Sequence, residues 1–198
     1  MAGIVLLRSD GDGGRRPPLR LPRNHTLAMS FALAAIGMLF IGLTSAYMVR
    51  QGLSNDWKAI PMPRILLVNT AILMAGSLTI ERARLGLHWG DRRNCSQWLG
   101  ATLGLGVVFL SGQLVAWRLL AAQGYYLSTN PHSSFFYVLT GLHGLHLAGG
   151  LAALAWTVWL ARGVAASRTG RWVESTALYW HSMDALWVLL MVLLFVWG

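Results

Sequence analysis

Charged residues are scarce in this sequence. Only 12% of its 198 residues are charged, and 55% are hydrophobic, whereas a soluble domain carries about 25% charged residues. The deficit excludes an ordinary soluble domain and indicates that lipid is the solvent for much of the chain. Since one membrane span needs roughly 20 apolar residues, the chain has room for about five spans with short connections.

Cysteine is almost absent, and the basic residues form no single cluster. Cys95 is the only cysteine, so an intrachain disulfide is excluded and a thiolate metal centre is not expected. A net charge of +9 is typical of nucleic-acid binding when the basic residues share one face. Here they lie between apolar runs, so we expect them to anchor loops at anionic lipid headgroups, with no nucleic-acid partner.

The N-terminal region contains no long apolar run. Its apolar stretch, Ala2 to Leu7, is too short for the core of a signal peptide. Glycine, arginine and proline residues follow, which favours a flexible chain. We therefore predict a flexible basic tail over residues 1–24, kept on the mature protein, and a membrane domain over residues 25–198.

Long apolar runs fill the rest of the chain. Predicted spans cover approximately residues 27–49, 64–84, 96–118, 133–161 and 175–197. Each should be helical, because in lipid every backbone polar group must be paired within the span or in a closed barrel. The alternation of a barrel strand, over about ten residues, is absent. The prediction is an all-α bundle of five transmembrane helices.

The distribution of lysine and arginine predicts the orientation of this bundle. Five of these residues lie in the tail, four between spans two and three, and three between spans four and five. The other four lie in the remaining connections. Because cytoplasmic loops are enriched in basic residues, we expect a cytoplasmic N-terminus and a periplasmic C-terminus in a bacterial inner membrane.

Small residues predict where helices meet. Gly100 and Gly104 have the spacing of a GxxxG motif, and Gly141 and Gly144 lie in the fourth run. Small side chains let helices approach closely where lipid offers no hydrophobic driving force. We therefore predict that these four glycines are helix-packing positions.

Ionisable residues inside the apolar runs are candidates for function, because they are costly in lipid. His143 and His146 share one face of the fourth predicted helix, and His181 and Asp184 share one face of the fifth. Glu174 lies just before that fifth span.

Two interpretations fit these residues. Nitrogen and oxygen donors of this type could bind a metal or haem, but an isolated HxxH is a weak motif. The favoured interpretation is a hydrogen-bonded set that ties helices four and five together, either directly or through water or lipid headgroups. A complete transmembrane proton relay is disfavoured, because the uncharged runs of the first three spans contain no histidine, carboxylate or basic residue.

Three segments resemble haem–copper oxidase subunit III. The segment from Phe135 to Gly150 reads FFYVLTGLHGLHLAGG, and the segment from Glu174 to Gly198 reads ESTALYWHSMDALWVLLMVLLFVWG. The segment from Trp98 to Gln113 resembles the preceding helix of that family, and the first span matches more loosely. The chain is similar to the short, five-helix form, which lacks the first two helices of long members.

The resemblance implies a subunit without redox or catalytic residues of its own. It implies that oxidase subunit I is the partner, that haem and copper lie in that catalytic subunit, and that this chain has no cofactor beyond bound phospholipid. It also implies support of proton uptake and of durability during turnover. The family's signature positions, of structural or lipid-contact type, are His143, His146, Glu174, Tyr179, Trp180, His181 and Asp184.

The sequence also departs from the family pattern. Two carboxylates usual in the family are replaced by Ile36 and Ala116, so roles assigned to those carboxylates do not transfer. Alternatives left open are an accessory subunit of a nitric oxide reductase and a stand-alone metal-dependent membrane enzyme. The electron donor of an oxidase, cytochrome c or quinol, is also left open.

Overall fold

The computed structural model describes residues 24–53, 55, 57–163 and 166–197, and within these it contains helices and no strand. The five helices are α1 Asn24–Leu53, α2 Ile65–His88, α3 Arg92–Ala122, α4 Pro131–Arg162 and α5 Ala166–Val196. Each is long and apolar enough to cross a membrane. The prediction of an all-α, five-span fold is confirmed. The tail predicted over residues 1–24 lies outside the described residues except for Asn24, which begins α1.

The helices extend beyond the apolar runs that predicted them. α2 continues to His88, and α5 begins at Ala166, so Glu174 lies inside α5 and not ahead of it. Apolar runs mark only the part of a helix in hydrocarbon. Charged side chains near helix ends can reach the interface while the backbone stays helical.

Side-chain caps fix the starts of two helices. The carboxylate of Asp91 accepts a hydrogen bond from the backbone N–H of Asn94, at 3.0 Å, ahead of α3. Asn130 and Ser133 form a reciprocal capping box, with Pro131 at the first helical position of α4. These caps satisfy N–H groups that have no partner within the helix.

Helices α2 to α5 close into a four-helix bundle. α2 packs on α3, α3 on α4, α4 on α5, and α5 also on α2. Consecutive helices run antiparallel. We call the end of the bundle where α2 passes to α3 and α4 passes to α5 the arginine-rich end. Its described arginines are Arg82, Arg84, Arg92, Arg93, Arg162 and Arg171.

Helix α1 lies outside this ring, against α4 and α5. Its second half provides ring and polar contacts: Phe40 packs on the His146 ring at 5.8 Å between centroids, and the Tyr47 hydroxyl donates to the backbone oxygen of Trp197 at 2.9 Å. Its first half leaves Phe31 73% exposed. α1 is therefore held to the bundle mainly through the half that ends away from the arginine-rich end.

Candidate functional site

A series of polar side chains links α5 to α2 where these two helices pack together. Ser77 on α2 donates a hydrogen bond to a carboxylate oxygen of Asp184 on α5. The Ser77 hydroxyl also lies 3.1 Å from Nδ1 of His181. On the other side of that ring, Nε2 lies 2.7 Å from Oε1 of Glu81. One string of contacts therefore joins two carboxylates through a serine and a histidine.

An arginine continues the string towards the arginine-rich end. The guanidinium of Arg84 donates to Glu81 at 2.8 Å and to Glu174 at 2.7 Å. This places Glu174, a predicted signature residue, in an ion pair between α5 and α2. The side chains of Arg84, Glu81 and Glu174 are 33%, 42% and 47% exposed, whereas Asp184 is only 3% exposed. We call these six residues the α2–α5 polar string: Ser77, Glu81, Arg84, Glu174, His181 and Asp184.

His181 and Asp184 were expected to tie helix five to helix four, but the structure shows that they are bonded to a different helix. Their side-chain hydrogen bonds go to α2, because α5 packs on α2 as well as on its sequence neighbour. The α2 residues of the string were not identified as candidates from the sequence. Ser77, Glu81 and Arg84 are spaced by four and then three residues, which places them on one helical face. That spacing could have identified them.

The two histidines of α4 have separate surroundings. His143 is fully buried and packs against Trp187 at 4.9 Å and Phe109 at 6.0 Å between ring centroids. His146 contacts the backbone oxygen of Leu142, in its own helix, through Nδ1 at 2.7 Å. Across the part of the chain that the structure describes, no three His, Cys, Asp or Glu side chains are placed to hold a metal ion. The four candidate metal ligands are therefore not assembled into a metal site.

Tyr179 and Trp180 fix the packing of α5. The hydroxyl of Tyr179 donates to the backbone oxygen of His146 at 2.8 Å, and its ring occupies the space beside Gly150 on α4. Trp180 is 1% exposed and lies between Gly76 of α2 and Gly106 of α3. Together with His181 and Asp184, these side chains connect α5 to the three other helices of the ring.

The glycines predicted as packing positions differ in their surroundings. Gly104 has open space where a Cβ would be, and Gly100 has only the Arg162 guanidinium, at 3.8 Å. Gly141 and Gly144 would place a Cβ in ordinary contact with α3, at 3.7 Å from Trp117 and 3.8 Å from Leu110. The close approaches occur instead at Gly76, Gly86, Gly106, Gly112 and Gly150.

The two positions that depart from the family pattern differ in burial. Ala116 of α3 is fully buried, whereas Ile36 of α1 is half-buried. A carboxylate at residue 116 would be withdrawn from both water and lipid headgroups, and an unpaired charge there would be costly. Alanine and isoleucine keep these two positions apolar.

Comparison with known proteins points to one family. A family model described as cytochrome c oxidase subunit III matches residues 26–198, which include all of α2 to α5 and α1 from its third residue. The chain is 33% identical over 170 residues to cytochrome c oxidase subunit 3 of Synechocystis sp., covering 83% of this chain and 72% of that protein. It is 32% identical over 182 residues to the subunit of the same name from Thermostichus vulcanus, covering 88% of each.

A relative with a different electron donor in its name also matches. Cytochrome bo(3) ubiquinol oxidase subunit 3 of Pseudomonas aeruginosa is 33% identical over 136 residues, which cover 67% of this chain and 64% of that protein. The resemblance noted in the sequence is thereby confirmed over nearly the whole described bundle. The chain belongs to the cytochrome c oxidase subunit III family.

Proposed function

We propose that this chain is the non-redox subunit III of a bacterial haem–copper terminal oxidase, inserted in the inner membrane beside the catalytic subunit I. The observation that carries the proposal is the extent of the family match, which runs through all five helices. Haem and copper belong, in this proposal, to the catalytic partner. This chain contributes a rigid helical surface and bound lipid.

The orientation is part of the proposal. The loops at the arginine-rich end carry Arg92 and Arg93 between α2 and α3, and Arg162 follows at the end of α4. Basic residues in short loops stay on the cytoplasmic side during insertion. The arginine-rich end then faces the cytoplasm, and Trp197 lies at the periplasmic side.

The interior of the bundle supports a structural role for the family signature. Tyr179, Trp180, His181 and Asp184 each contact another helix of this chain. A motif whose side chains hold α5 in place keeps the outer face of the bundle in one shape, and a fixed shape favours docking on a partner, because little ordering entropy is lost on association.

Lipid contact is expected on the first half of α1. Phe31 and Met38 are each 73% exposed, so the other helices of the chain leave most of their surface uncovered. Acyl chains or a helix of a partner subunit would cover this face in the membrane. We propose bound phospholipid there, beside the helix that is least held by the bundle.

The electron donor is a property of the partner subunits in this proposal. Relatives named as subunits of a cytochrome c oxidase and of a ubiquinol oxidase both match the chain. Proton uptake and durability during turnover are the functions this subunit would support in either complex. It would do so by its contact with subunit I and by the lipid it holds.

Purification through an affinity tag on this chain, in mild detergent from the native membrane, tests the proposal. The expected result is co-purification of a large catalytic subunit with the optical spectrum of oxidase haem. Purification with a nitric oxide reductase and no oxidase would replace the proposal by that alternative. Recovery of the chain alone, after chemical cross-linking of intact membranes has been used to hold complexes together, would overturn it.

A further inference from the structure

We infer that Asp184, Ser77, His181 and Glu81 form a proton-exchange site, in which one proton moves between Asp184 and His181 through the Ser77 hydroxyl and is renewed at the arginine-rich end. This inference deepens the proposed function and rests on it for the complex in which it is measured. It is carried by three observations: the hydrogen-bond geometry, the gradient of exposure along the string, and the apolar sequence beyond Asp184.

Hydrogen-bond counting leaves two arrangements of protons that satisfy every contact of this string. In the first arrangement, Ser77 donates its one hydroxyl proton to Asp184, and Nδ1 of His181 donates to the Ser77 oxygen. Nε2 of the same ring lies 2.7 Å from a Glu81 oxygen, a contact that needs a second proton. In this arrangement the ring carries both protons and Asp184 is a carboxylate.

A second arrangement satisfies the same contacts with the same number of protons. The Nδ1 proton of His181 passes to the Ser77 oxygen while the Ser77 proton passes to Asp184. The ring is then neutral, with its remaining proton on Nε2 facing Glu81, and Asp184 is a neutral acid. No atom moves except the two protons, so the string alternates between a separated charge pair and two neutral groups.

Asp184, at the inner end of the string, is far less exposed than the groups nearer the outer end. Asp184 is 3% exposed, and the His181 side chain is 35% exposed. At a rise of about 1.5 Å per residue, Asp184 lies roughly 15 Å deeper along α5 than Glu174. His181, Arg84 and Glu174 line a groove of about 310 Å³ that opens between α5 and Met29 of α1. Water in this groove can exchange protons with His181, which lines it, without reaching Asp184 directly.

The string ends at Asp184. From residue 185 to residue 196, α5 contains no ionisable side chain, and α2 contains none from residue 65 to residue 76. Both ring nitrogens of the nearby His143 have no hydrogen-bond partner among the described residues, so no hydrogen bond continues the string through α4, and a proton that reaches Asp184 leaves by the way it came. The site holds and returns a proton on one side of the membrane, and it is not a transmembrane channel.

The other helices packed on α5 add few charges to this site. The groove side of α1 contributes Met29 and no described ionisable group. On α4, the buried His143 packs against Trp187 of α5, and the His146 ring is engaged with Leu142. α4 also meets α5 near the arginine-rich end through the hydroxyls of Thr157 and Thr176, 3.1 Å apart. Among the described residues, Arg84 forms an ion pair with Glu81 and also with Glu174.

Infrared spectroscopy of the purified oxidase complex tests the inference. The expected signal is the carbonyl band of a protonated carboxyl group that grows on acidification, shifts on transfer to heavy water, and is missing in Asp184→Asn. In Ser77→Ala the carboxyl remains but its link to His181 is broken. Loss of that hydrogen-bonded step should slow hydrogen–deuterium exchange of the band about tenfold.

The control is Ser182→Ala, which removes a half-buried α5 serine whose hydroxyl donates to the backbone oxygen of Leu178 in its own helix. It should exchange at the wild-type rate. Equal rates in wild type and Ser77→Ala, or no band lost in Asp184→Asn, would overturn the inference. If Ser77→Ala fails to assemble, His181→Gln replaces it, and unchanged exchange in that variant overturns the inference too. Assembly itself is read from co-purification, so failure of the proposed function is distinguished from failure of the proton site.

Discussion

The indole of Trp180 lies against Gly76 so closely that a Cβ added at residue 76 would stand 2.6 Å from its Cζ2. A Cβ at Gly106 would stand 3.0 Å from the adjacent ring atom, Cη2. Trp180 is 1% exposed, so the indole is enclosed by its neighbours. Two glycines on two helices thus form the slot that receives a tryptophan from a third.

Gly76→Ala should destabilise the bundle. The added methyl group would overpack a filled site, a change that costs about 1–3 kcal/mol. The effect is measured by heating the purified complex and recording the temperature at which this subunit is released. Gly104→Ala is the matched control, since residue 104 has open space where a Cβ would be. Equal midpoints for the two variants would contradict the slot.

Gly150→Ala should weaken the contact between α4 and α5, whereas Gly149→Ala should not. A Cβ at residue 150 would stand 2.6 Å from Cε1 of Tyr179, but nothing lies within 4 Å of one at residue 149. The ring would have to shift, and its hydroxyl would lose its place on the His146 oxygen. The two neighbouring variants are compared by the detergent concentration at which the subunit dissociates from the complex. A loss in Gly149→Ala as large as that in Gly150→Ala would show that the assigned helix faces are wrong.

Arg84→Leu should lower the thermal stability of the complex slightly, and by more than Arg82→Leu does. Arg84 bridges Glu81 and Glu174, but all three side chains are at least a third exposed, and exposed ion pairs contribute only about 0.2–1 kcal/mol each. Arg82 is exposed and is not part of the string. The difference between the variants should shrink at high salt, because salt screens exposed charges. A thermal shift that is identical for both variants at low salt would count against the bridge.

Tyr47→Phe should loosen α1. Its hydroxyl donates to the Trp197 oxygen, and loss of one such bond costs about 0.5–1.5 kcal/mol. Hydrogen–deuterium exchange of α1 should rise in this variant, with Tyr126→Phe, which removes an exposed hydroxyl, as the control. Unchanged exchange in α1 would mean that the ring packing of Tyr47 on Trp57 and Phe135 holds this helix alone.

The five helices could be predicted from sequence because in lipid only helices and closed barrels pair every backbone polar group. The alternation typical of barrel strands is absent here. Their faces could not. Gly100 and Gly104 match a packing motif by spacing, yet Gly104 faces open space, since spacing fixes a shared face but not the neighbour it meets. Similarly, His181 and Asp184 were recognisable as one face, but pairing with Ser77 requires knowing that α5 closes the ring onto α2.

The central claim is that this chain is an oxidase subunit that carries no redox centre. The most direct test is to dissociate it from the purified complex with a harsher detergent and to measure haem, copper and iron in both fractions. The account predicts that the chain leaves without haem or metal and that the catalytic fraction keeps its haem spectrum. Haem or stoichiometric metal leaving with this chain would contradict it.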